Sequence, residues 1–375
     1  MVNTLTDHQT TTCARLAMKM VQLGVSAKFL GPIVEGPVVS IYKFTPEGST
    51  KVSQIEALSD DFAIALGVED VLVKRMPGEV AVGIFVPNED RKWVLWRDVC
   101  LVSVNDVNSS FNIPLLLGID QLGQKVIEDL TLFPHLLIAG STGSGKSTLL
   151  NSILATMVFN LPSTQLQLCL SDTKGVEFGH FIGAPHLLWN PATTVYQTLE
   201  QLDWLLEEME SRLKTFGKRG LRNILEYNKD RSDEKARLPY IVLVIDELAD
   251  LLGNSGRASE KQRASIGKIA SEKLSQLAQK ARATGIHIIA GTQRPSVKLL
   301  EGNIKSNFPA RLSFRLPSHA DSTTVLSTGG AEHLLSRGDM LFINPSKAGM
   351  QRIHAPLTSN DDIKAAIDIA MRRGT

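Results

Sequence analysis

Eight residues, Gly140-Ser141-Thr142-Gly143-Ser144-Gly145-Lys146-Ser147, match the pattern G-x-x-x-x-G-K-[ST]. This stretch limits the fold more than any other. A loop of this kind must be fed by a strand and must open a helix, so that backbone N–H groups converge on an anion at the helix start. Both flanks comply: His135-Leu136-Leu137-Ile138-Ala139 is an apolar strand, and Thr148-Leu149-Leu150-Asn151-Ser152-Ile153-Leu154 reads as a helix. Glycines are needed where the chain turns through unusual dihedrals or meets the ligand closely, and Gly143 and Gly145 fill that need. Lys146 can then reach the β- and γ-phosphates of a nucleotide, Ser147 can offer its hydroxyl to Mg²⁺, and Gly140 to Thr148 form the expected ATP-binding set.

Short apolar runs recur after this loop, separated by longer helical segments: Leu136 to Ala139, Leu166 to Ser171, Ile241 to Ile245, Ile286 to Ala290 and Arg311 to Leu316. The alternation predicts an α/β fold with a mostly parallel sheet flanked by helices. Tyr240 to Ile245 is apolar throughout, as a strand buried on both faces must be, and it ends in Asp246-Glu247. Ligands bind at that end of parallel strands. Asp246 is expected to hold Mg²⁺ through water, and Glu247 to orient the water that attacks the γ-phosphate. The same pair could instead cap the helix over Leu248 to Leu252, but its partnership with the loop favours hydrolysis. Gln293, leaving the strand Ile286 to Thr292, is a neutral group able to sense the γ-phosphate or its water.

Two other nucleotide-binding classes fit less well. Leu326-Ser327-Thr328-Gly329-Gly330 faintly matches a transporter-ATPase signature but follows Asp246 instead of preceding it. Asn228-Lys229-Asp230 has the wrong spacing for a guanine-reading motif.

A chain of 375 residues exceeds what one hydrophobic core usually supports. We expect a helical segment at 1–29, a small α/β subdomain at 30–102, a polar linker at 103–112, an ATPase domain at 113–357 and a final helix at 358–375. Within the small subdomain, Pro37 to Phe44 and Val80 to Val86 read as strands and Ile55 to Leu66 as a helix. A helix over Thr11 to Leu23 precedes them, and Gly253 to Lys261 reads as a flexible surface loop. With 43% hydrophobic and 21% charged residues the chain can build a real core, and a net charge of +1 means that any basic surface is local. Cys13, Cys100 and Cys169 show no metal-ligand spacing and read as thiols of a reducing compartment. Apolar runs such as Ile241 to Ile245 are far below the ~18–20 residues that span a bilayer, and no signal segment opens the chain, so the expectation is cytoplasmic with no membrane partner.

Longer tracts resemble the FtsK/SpoIIIE DNA translocases, within the HerA-FtsK group of ring-forming P-loop ATPases. The resemblance rests on Pro134 to Gly140, Asp246 to Leu251, Ala278 to Ala283, Gly285-Ile286-His287, Thr292 to Val297, Ile304 to Arg311 and Gly338 to Leu341. It implies a RecA-like motor carrying a small subdomain at its N-terminal side, with six copies closing a ring around double-stranded DNA. It further implies that Arg282 is an arginine finger acting on a neighbour's ATP, and that Arg294 and Lys305 grip the DNA backbone. Such contacts suit sequence-neutral pulling, since phosphates carry no sequence. Positions that are usually basic in the family are His319 and Thr323 here, and neither the membrane segments nor the winged-helix subdomain of the cell-division members is expected. Two alternatives remain open: a conjugative coupling or single-strand DNA motor, and an ATP-gated ring scaffold with little turnover.

Overall fold

A strand whose side chains are all buried needs cover on both faces, and the sequence supplies such strands around the phosphate loop. The computed structural model describes residues 7–36, 38–76, 78–89, 93–101, 111–121, 123–229, 236–254, 260–296, 303–347 and 349–373. The chain divides into two compact units: residues 1–94 with 119–124 and 333–335, and residues 95–118, 125–332 and 336–375. The linker expected at 103–112 falls mostly outside the described residues, as does the middle of the loop expected at 253–261.

The first unit is built on β1 (Ala27–Phe29), β2 (Val34–Glu35), β3 (Val39–Pro46), β4 (Leu72–Arg75) and β5 (Val82–Pro87). All its pairings are antiparallel, with β3 at the centre against β1, β2 and β5, and β4 on the far side of β5. Leu16 and Met20 of the helix Asp7–Gln22 join Tyr42, Phe44, Ile55, Phe62, Val82 and Ile84 in one core. The segment at 1–29, set apart in the sequence reading, therefore supplies Leu16, Met20 and Val25 to this unit's interior. The helix expected over Ile55 to Leu66 is two helices, Val52–Glu56 and Ser59–Leu66. Asp60 and Asp61 occupy the first turn of the second, where carboxylates favour a new helix start.

The second unit adds β6 (Pro114–Asp120), β7 (Lys125–Asp129), β8 (His135–Ala139), β9 (Leu166–Ser171), β10 (Tyr240–Ile245), β11 (Ile286–Thr292), β12 (Ala310–Phe314), β13 (Asp339–Ile343) and β14 (Met350–His354). Among the described residues they form a nine-stranded sheet in the order β7-β6-β14-β13-β12-β8-β11-β10-β9. From β12 to β9 every pairing is parallel, with Ile288 opposite His135 and Leu243 opposite Cys169. The sheet is mixed, however, because β13 and β14 form an antiparallel hairpin on β12. Helices Lys146–Asn160 and Asn360–Arg373 bring Leu149, Ile153, Met157, Ile363 and Ala366 into the core. Cys13, Cys100 and Cys169 are free thiols, the last two buried.

Inside the hairpin, Arg352 donates from Nε and Nη2 to Asp339 at 2.9 and 2.5 Å, with side chains 7% and 4% exposed. A buried pair of this kind leaves an uncompensated charge when one partner is removed. Arg352→Met is expected to lower unfolding stability by about 3–5 kcal/mol, measured by urea denaturation, and a change below about 1 kcal/mol would refute this account.

Candidate nucleotide-binding site

Parallel strands end with their carboxyl ends on one side, and that geometry collects the chemistry. The phosphate loop runs from the end of β8 into the helix Lys146–Asn160. Gly143 and Gly145 have φ of +77° and +117°, a region open to glycine at little cost. Gly140 is required for space: a Cβ there would lie 2.5 Å from Ser144 Oγ and 2.8 Å from Phe314 Cβ. The loop is pinned from outside as well, since the Ser141 amide and hydroxyl both donate to the Arg315 carbonyl, at 3.2 and 3.0 Å, and the Gly338 amide donates to Ser144 O at 2.9 Å. Ser144 Oγ is buried and has no hydrogen-bond partner. Ser147 and Thr148 are half-buried on the first helical turn.

Lys146 is 3% exposed, and its ammonium donates to the carbonyl of Asp246 at 2.7 Å and to Asp246 Oδ1 at 2.5 Å. The sequence reading sent these two groups separately to phosphate and to Mg²⁺, whereas here they hold each other. Gly291 of β11 passes close by: a Cβ there would meet Asp246 O and come within 3.1 Å of Lys146 Nζ. Glu247, 4% exposed, is held from the end of β11. Its Oε1 accepts from Thr292 Oγ1 at 2.9 Å, and its Oε2 accepts from the Gln293 amide at 3.0 Å. The Gln293 side chain in turn accepts at Oε1 from Thr142 Oγ1 of the loop, at 3.1 Å. The ends of β8, β10 and β11 are thereby joined at one place.

Asp172, Thr173 and Lys174 were missed by sequence reasoning. Asp172 follows β9 and is buried; its carboxylate accepts from the amides of Gly175, Glu177 and Phe178 at 3.0, 2.6 and 3.1 Å, which fixes the turn. Thr173 Oγ1 donates to Asp250 Oδ2 at 3.3 Å, and Lys174 Nζ stands 3.8 Å from Glu247 Oε2. The signal was available: each parallel strand's first polar residues beyond its carboxyl end face the same site.

Three expected residues lie elsewhere. Arg282 is near the C-terminal end of the helix Glu260–Thr284, exposed, with Nη2 donating to Leu132 O at 3.1 Å. Leu132 precedes β8, so this arginine sits at the opposite end of the parallel strands from the loop. Arg294 is exposed just past β11. Lys305 lies on the helix Asn303–Asn307, and burial together with the neighbouring Arg311 guanidinium holds its ammonium below the usual lysine range. His319 is paired with Glu332 at 2.7 Å, and Thr323 lies on the helix His319–Leu326. No helix of the described residues is long and apolar enough to cross a membrane.

Comparison with known proteins gives a consistent picture. A model of the FtsK/SpoIIIE family matches residues 104–297, and a model of the FtsK alpha domain matches residues 3–88. A DNA translocase FtsK of Helicobacter pylori strain J99 is 39% identical over 335 residues, covering 89% of this chain and 38% of the relative. A DNA translocase FtsK of Borreliella burgdorferi is 37% identical over 358 residues, covering 94% of this chain and 44% of the relative. The chain thus spans less than half the length of these curated relatives. Among solved structures, the pCW3 conjugation coupling protein TcpA, in monomer form with ATPγS, matches with a TM-score of 0.67 and 26% identity over 97% of this chain and 99% of that one. The cytoplasmic domain of the type VII secretion ATPase EccC of Thermomonospora curvata, with a TM-score of 0.58 and 21% identity, shares the fold. The α/β fold is that of the P-loop ATPase motor domains.

Proposed function

The chain belongs to the FtsK/SpoIIIE family, and from that premise we propose that it is an ATP-hydrolysing motor that pulls double-stranded DNA through a ring of its own copies. One observation carries the enzymatic half: at three neighbouring strand ends Lys146 bonds Asp246, and beside that pair Glu247 is tied to the phosphate loop through Gln293 and Thr142. In this reading the loop amides from Gly140 to Thr148 bind the phosphates and Lys146 leaves Asp246 for the β- and γ-phosphate oxygens. Among the described residues no cluster of three or more His, Cys, Asp or Glu side chains is fit to hold a metal by itself. A hydroxyl and one carboxylate, Ser147 and Asp246, are the hard oxygen donors that suit Mg²⁺, which keeps most of its water. When bound it neutralises charge on the phosphates. Glu247 orients and deprotonates the attacking water, and Gln293, touching both Thr142 and Glu247, senses whether the γ-phosphate is present.

Arg282 supports the ring. A five-residue strand separates its end of the sheet from the phosphate loop, roughly 17 Å at the rise of a β-strand. Its guanidinium therefore serves a neighbour's ATP better than its own. Arg294, just past β11, and Lys305, on the helix Asn303–Asn307, are the proposed backbone grips.

The test is ATP turnover with linear duplex DNA, together with displacement of a triplex-forming oligonucleotide. Stimulation and ATP-dependent displacement are expected; absence of both sinks the motor. Arg294→Ala and Lys305→Ala should each reduce the salt slope of DNA binding by about 1, without sequence preference. A second reading, a conjugation coupling motor, draws on the near end-to-end match with TcpA. Stronger stimulation by single-stranded than by duplex DNA would favour it.

A further inference from the structure

The strand that delivers the phosphate loop at one end is, at its other end, tied to the helix that carries Arg282. His135, first residue of β8, is fully buried. Its Nδ1 accepts from the Ile288 amide at 3.0 Å, which puts the ring proton on Nε2, and Nε2 donates to the Ala278 carbonyl at 3.1 Å. In an α-helix that carbonyl is also the acceptor for the amide of residue 282, one turn on. His135 thus grips the peptide that sets where Arg282 begins. Two further bonds close the same corner: Arg282 Nη2 to Leu132 O at 3.1 Å, and His287 Nδ1 to Pro134 O at 2.9 Å. Burial pushes the His135 ring down to about 3 and the His287 ring down to about 4. Both imidazoles are neutral near pH 7, so this tautomer and its bonds persist.

We propose that His135 is a positioning residue for Arg282: its Nε2–H bond to Ala278 fixes the last turn of the helix Glu260–Thr284, so that the guanidinium is presented to the phosphates of a neighbouring copy. The inference rests on the reading of Arg282 as a finger acting in trans. It separates from a plain core role by the site it affects. A histidine that merely packed β8 would act on the phosphate loop of its own subunit, because β8 runs directly into Gly140. A histidine that aims Arg282 acts on the next subunit's site and leaves its own intact.

The experiment uses the full chain and mixed subunits. His135→Phe keeps the aromatic volume beside the Phe308 ring, whose centroid is 5.7 Å away, and removes the bond; His135→Gln retains an amide donor. His135→Phe is expected to lower kcat about tenfold, as loss of an oriented group does, with KM for ATP and binding of ATPγS within about twofold of the native chain. His135→Gln should recover part of that loss. Mixing His135→Phe subunits with Lys146→Ala subunits should restore turnover, as mixing Arg282→Ala with Lys146→Ala should. The double variant His135→Phe/Arg282→Ala should be no slower than Arg282→Ala alone. Recovery for Arg282→Ala but not for His135→Phe, loss of ATPγS binding, or additive losses in the double variant would overturn the role of His135 while leaving the finger intact. No recovery for Arg282→Ala at any ratio would instead remove the finger in trans, and this proposal with it.

Discussion

Glu247→Gln is expected to reduce ATP turnover by about 10²–10⁴-fold, the range lost with a general base, while the protein still binds nucleotide. The substitution keeps volume and shape, so the phosphate loop and the Lys146–Asp246 pair should survive. What it changes is the acceptor: both carboxylate oxygens of Glu247 receive donors, from Thr292 Oγ1 and the Gln293 amide, and Lys174 stands beside Oε2. An amide offers one acceptor oxygen and turns an N–H₂ toward groups that are themselves donors. It also lacks the basicity to take a proton from water. Turnover is measured by phosphate release and binding by titration with ATPγS. A variant that hydrolyses ATP within a few-fold of the native rate would transfer the role of base away from Glu247.

Lys146→Ala should act on two observables at once. Hydrolysis should fall by at least about 10²–10³-fold, the scale of losing one preorganised charge stabiliser, and affinity for ATP should weaken with it. Stability should fall too. The Lys146 and Asp246 side chains are each 2% exposed, so deleting the ammonium strands a carboxylate away from water, at a cost of about 3–5 kcal/mol. Adding Asp246→Asn removes the orphaned charge, and the double variant should regain much of the lost stability while remaining inactive. Urea unfolding of the two single variants and the double resolves the coupling. Additive losses would mean that the pair does not hold the site together.

Much of this was readable from residue order. The parallel strands β8 to β12 were legible because burial on both faces forces uninterrupted apolar runs, and the phosphate loop because few sequences can wrap an anion with backbone alone. β1, β2 and β4 are short, with little periodicity to detect, and the β13–β14 hairpin depends on pairing partners that a local pattern does not reveal. At the site, residue types announced Lys146, Asp246, Glu247 and Gln293, but not that Lys146 would bond Asp246 or that Thr292 would clamp Glu247. Those are facts of register between strands. Lys174 escaped for a related reason: it reaches Glu247 only because the buried Asp172 carboxylate folds the turn after β9 back on itself.

The strand order has a consequence in time. β8 pairs with β11 and β12, and β10 with β9 and β11, so the sheet joins segments far apart along the chain. Closing such loops is slow, and nothing local can substitute for it. During synthesis the phosphate loop emerges early, by residue 148, yet Glu247 has no clamp and Lys146 no buried partner until β10 and β11 have followed. A nascent chain can therefore display the loop long before Lys146, Asp246, Glu247 and Gln293 take up their bonds, and the candidate site is complete only once β11 and residue 293 have followed.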